Sequence, residues 1–136
     1  MEDVATLIEG VLGSSSNDAT LSTWTPSYSA SGAMTFTSVV TNYAKYMYHG
    51  KLVWFSIRAT GTTGGTASTD IYFTLPVTAA ASNTIAFAGM ALDTGSIGCA
   101  AYQQSTTLGA VRKYDATNWG LGASRVIVAQ GFYEVA

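Results

Sequence analysis

Charge is what this chain has least of. Only 10% of its 136 residues are Asp, Glu, Lys or Arg, against about a quarter in ordinary globular proteins. With six basic and eight acidic residues the formal charge is −2, so no basic stripe exists to neutralise a phosphate backbone, and nucleic-acid binding is excluded as a main function. A single cysteine, Cys99, rules out an intrachain disulfide and argues against a structural zinc site; its expected role is that of a small buried hydrophobe. The single histidine, His49, makes a Ser-His-Asp triad implausible, and no metal or cofactor is expected. Asp70, Asp93, Asp115 and Glu134 are scattered, and the expectation for them is solvation and turn formation. Gly61-Thr62-Thr63-Gly64-Gly65-Thr66 lacks the lysine and the following helix of a P-loop, and is expected to be a mobile loop. No catalytic residue is assigned, and the expectation is a protein without enzymatic activity.

Long apolar runs are also missing. The longest, Ile85 to Leu92, falls far short of the ~18 residues of a membrane span. The start Met1-Glu2-Asp3 lacks the positive charge of a secretory signal, so synthesis and folding in a cytoplasm are expected. Apolar residues nevertheless make up 48% of the chain, enough to exclude disorder and to build one core.

Three segments are expected. Residues 1–13 read as a short amphipathic helix, with Val4, Leu7, Ile8 and Val11 on one stripe, Glu2 and Asp3 at its start and Gly13 at its stop. A helix this short needs a partner for its stripe. A groove of its own domain and packing against copies of itself about a symmetry axis both remain open, the second being favoured. Residues 14–20 read as a flexible linker. Residues 21–136 alternate with period two between turn signals, which predicts eight or nine short strands in an antiparallel, jelly-roll-like β-sandwich. Ala79-Ala80-Ala81 is expected to cross between sheets.

The stretch Tyr43 to Ala59 organises the rest. It reads as a hairpin turning at His49-Gly50, which pairs Met47 with Leu52, Tyr46 with Val53 and Lys45 with Trp54. Ala44, Tyr46, Val53, Phe55 and Ile57 then face the core, joined by Ile71, Phe73, Leu75, Ile127, Ala129, Tyr133 and Val135. The opposite face holds Tyr43, Lys45, Met47, Leu52 and Trp54, too apolar to stay uncovered, and Lys45 and Trp54 form a candidate cation–π pair.

Tyr46, Gly50-Lys51, Val53 and Phe55, followed by Phe73-Thr74-Leu75-Pro76 and Gly131-Phe132-Tyr133-Glu134, resemble the small β-sandwich domains that end tailed-bacteriophage tail fibres and related virion appendages. Trp24-Thr25-Pro26 and Gly32-Ala33-Met34-Thr35 precede the hairpin as similar segments do in that family. The resemblance implies a virion structural protein, folded in the host cytoplasm. It would bind a host-surface receptor, with a glycan one candidate, or decorate the capsid without receptor activity. Other virion proteins are the implied partners. A free carbohydrate-binding module is the alternative. Two groups of site residues are expected. Lys113, Tyr114, Asn118 and Trp119 form a turn-rich aromatic and polar cluster that either contacts a saccharide or plugs one end of the domain. Val4, Leu7, Ile8, Val11, Met47, Leu52 and Trp54 form an oligomer interface, with a homotrimer expected.

Overall fold

A computed structural model describes residues 20–136, and these form nine antiparallel strands: β1 (Ser22–Thr23), β2 (Tyr28–Ala30), β3 (Met34–His49), β4 (Leu52–Gly65), β5 (Asp70–Thr74), β6 (Ala86–Leu92), β7 (Ser96–Gln103), β8 (Leu108–Lys113) and β9 (Gly122–Glu134). The helix expected over residues 1–13, and all but the last residue of the expected linker 14–20, lie outside the described residues. The strands pair in the order β1-β3-β4-β9-β6-β7-β8-β5-β2 as one curled sheet. Its far edges approach each other across the core. The Tyr28 ring of β2 lies edge-on to Phe36 of β3 at 6.0 Å, and its hydroxyl is 2.7 Å from that of Thr41. Trp24, between β1 and β2, joins the same ends: its Nε1 donates to the Thr74 carbonyl at 3.1 Å while its ring packs on Tyr46 and Phe55.

Strand formation follows the period-two pattern closely. In β4, Val53, Phe55, Ile57, Ala59, Gly61 and Thr63 are buried in strict alternation, so every second residue leaves water as the strand extends. The expected core residues of β5 and β9 are buried with them. Phe55 is the centre of this interior, with ring centroids of Phe73, Phe87 and Tyr133 at 5.8, 4.8 and 6.0 Å. The connection from β5 to β6, which carries Ala79 to Ala81, crosses the core end. It is held by Tyr133, whose hydroxyl donates to the Val77 carbonyl at 2.7 Å, and by Gln103, whose Nε2 donates to the Ala81 carbonyl at 2.6 Å.

Three expectations are corrected. The hairpin turns at Gly50-Lys51 and not at His49-Gly50, so Tyr46 pairs with Phe55, Met47 with Trp54, and Lys45 with Ser56. Gly50 takes φ +61° at the first central place of the turn, the arrangement in which that residue alone needs a positive φ. Each strand keeps its inward and outward sets because the partner moves by two residues, which preserves the face. Gly61 to Gly65 is no loop but the end of β4, paired with β3 and with β9. A Cβ at Gly61 would stand 2.7 Å from the Phe36 ring, so glycine serves close packing there. Finally, Lys45 Nζ donates to the Thr23 hydroxyl at 2.7 Å and does not cover Trp54.

Candidate interaction face

The outward surface of β3, β4, β9 and β6 is assembled in rows by strand pairing. His49, Leu52 and Glu134 lie across the hairpin tip; Met47, Trp54 and Phe132 follow; then Lys45, Ser56, Gln130 and Ala88; then Tyr43, Arg58, Val128 and Met90. The second row, with Leu21 just ahead of β1 and His49 at the tip, lines a shallow groove of about 610 Å³. Phe132 is 55% exposed, Leu21 46% and Leu52 43%. Large side chains contribute ~1.5–3 kcal/mol each when fully covered, so covering a cluster of this kind is favourable.

Of the expected interface residues, Met47, Leu52 and Trp54 thus converge, while Val4, Leu7, Ile8 and Val11 lie outside the described residues. Leu21 and Phe132 were not among the interface residues expected from the sequence. The outward phase of Phe132 was readable from the inward Tyr133, but its place beside Trp54 depends on the β4–β9 pairing, which joins residues far apart in the chain.

Of the two roles open to Lys113, Tyr114, Asn118 and Trp119, the structure shows the plug, and the four side chains are not gathered into a surface cluster. Trp119 is 1% exposed, and its Nε1 donates to the Thr69 carbonyl at 3.1 Å, so its ring plugs the core and has no face for a sugar. Lys113 is buried and donates to Asp93 at 3.0 Å, whereas Tyr114 and Asn118 face solvent. Asp93 also meets Arg125 at 2.9 Å and accepts from the Gly120 amide. This clamps the turn after β6 to the β8–β9 connection. Asp70 is buried as well: Arg112 grips both its oxygens at 2.6 and 2.7 Å, and the Tyr102 hydroxyl donates to it at 3.0 Å. Burial, reinforced by the Asp70 charge and hydrogen bond, pushes the Tyr102 hydroxyl up to about 12. Both acids are therefore buried and held in ion pairs, and not in the solvated turns expected of them.

A smaller cleft of about 330 Å³ lies between the β1–β2 connection and β3, where Trp24, Tyr43, Asn42, Thr25 and Lys45 line it. Cys99 packs half-buried against the core, and burial raises its thiol to about 11. Thiolate is the reactive form. Alkylation of the native chain by iodoacetamide at pH 8 is therefore expected to run roughly a hundredfold slower than for unfolded chain; equal rates would show that the thiol is open. Among the described residues no group of His, Cys, Asp and Glu is placed to hold a metal ion. In comparisons with known proteins, no family model, no curated protein and no solved structure matches the chain.

Proposed function

We propose that this chain is a non-catalytic, jelly-roll-like domain of a bacteriophage virion appendage, of the tail-fibre or fibre-like kind, that works as a homotrimer and binds the host surface. One observation carries it: the apolar outer face at Met47, Leu52, Trp54 and Phe132, on a continuous sheet whose other side is already buried. Such a face suits permanent contact within an assembly. The virion class rests on the sequence resemblance from Trp24 to the C-terminus. The approach of β2 to β3 across the core supports the jelly-roll-like description.

Light scattering on the whole chain tests the assembly. Three chain masses are expected, and Trp54→Asp is expected to lower the mass while near-ultraviolet circular dichroism stays native. A monomeric whole chain overturns the trimer. A second reading, surface saccharide recognition, is favoured by the aromatic and hydroxyl-rich cleft at Trp24 and Tyr43. Glycan binding by a monomer would give it precedence as a free carbohydrate-binding module.

A further inference from the structure

The groove walled by Leu21, Met47, Trp54 and Phe132 has no cover among the described residues. Four observations point to its occupant. Leu21 is itself a wall of the groove, so the chain ahead of it arrives at the rim. Residues 2–12 carry an apolar stripe, Val4, Leu7, Ile8 and Val11, which as a helix would run about 16 Å at 1.5 Å per residue. The eight residues from 13 to 20 can reach up to about 26–29 Å, well beyond the ~10 Å that separates β3 from β9 across β4.

The fourth observation is charge. Residues 1–19 hold Glu2, Asp3, Glu9 and Asp18 with no lysine or arginine, a net −4, whereas residues 20–136 are net +2. Arg112, Lys113 and Arg125 pair with Asp70 or Asp93. The three remaining cations, Lys45, Lys51 and Arg58, make no ion pair among the described residues, and all three belong to the hairpin that carries the groove. Glu134 is the one acid on that face.

We propose that residues 2–12 dock into the groove of their own chain, with Val4, Leu7, Ile8 and Val11 on Met47, Trp54 and Phe132, and the acids toward the hairpin cations. A short tether holds the segment at an effective concentration near millimolar, above that of a second copy at micromolar protein. The inference rests on the reading above only in taking this face to be covered; the docked segment then becomes the surface that meets the other subunits, so Trp54→Asp lowers the mass by releasing it. Scattering mass reports on assembly, and the probes below report on the segment, so either can fail alone.

The test uses the full chain with Cys99→Ala and a nitroxide on Thr6→Cys, which leaves the stripe intact. Carbon-13 methyl signals of the methionines are the readout. Docking is expected to erase the Met47 methyl signal, with recovery on reduction of the nitroxide, while a sample mixing labelled and spin-labelled copies keeps it. Loss in both samples gives the groove to a second copy, and no loss in either leaves it without this occupant; both overturn the proposal. As a check free of cysteine substitutions, Leu7→Asp with Ile8→Asp is expected to shift tryptophan emission to the red, an effect absent when Trp54 is Phe. An unchanged spectrum also overturns it.

Discussion

Phe55→Ala is expected to cost roughly 3–5 kcal/mol of stability, the range for a large aromatic truncated in a core that cannot collapse. Phe55 is fully buried, and the rings of Trp24, Phe73, Phe87 and Tyr133 all pack against it. These rings come from four places: the β1–β2 connection, β5, β6 and β9. Relaxation around the lost ring would have to move several strands at once, so most of the cavity should remain. Phe55 also follows Trp54 directly, so its burial fixes the outward aim of the groove's central side chain. Denaturant unfolding checks the figure, with an unchanged m-value expected. A loss under ~1 kcal/mol would mean that the ring is not the centre of the interior.

The faces of the strands were legible in the sequence because they depend only on parity. The turn of the central hairpin was misplaced by one residue, yet Ala44, Val53, Phe55 and Ile57 still point inward, since the partner shift was even. Closure was not legible. That β9 lies between β4 and β6 is a non-local pairing, and it alone brings Phe132 to Trp54. Glycines were read as loop signals, and Gly61 shows the limit of that rule, because close approach of Phe36 selects the same residue. The sequence left Trp119 and Lys113 between a surface contact and a plug at one end of the domain, and the plug is what the structure shows. Their partners, Thr69 and Asp93, are 50 and 20 residues away, and no local pattern announces them. The apolar outer face was foreseen from Met47, Leu52 and Trp54, and its extent was not.

Asp93→Ala is expected to destabilise the fold by roughly 3–5 kcal/mol, because removing one member of a buried ion pair strands the charges it held. Asp93 is 4% exposed at its side chain, Lys113 9% and Arg125 12%, so two nearly dry cations would lose their counter-charge together. The Gly120 amide would lose its acceptor as well. Burial alone would raise the Asp93 carboxyl, but the Gly120 amide, Lys113 and Arg125 outweigh it and hold its pKa below the ordinary 3.8. A folded-state pKa below the unfolded one means that the folded protein resists protonation. The stabilisation is then complete above the ordinary carboxylate range and is lost as pH falls through the folded value. The isosteric Asp93→Asn chain should therefore differ most from the native chain near pH 6–7, and the gap should narrow below about pH 4. Thermal melts of both chains between pH 7 and pH 2 measure that gap. A difference that stays constant across the range would assign Asp93's contribution to its shape and hydrogen bonds, and would remove charge from the account of how the β8–β9 connection is held.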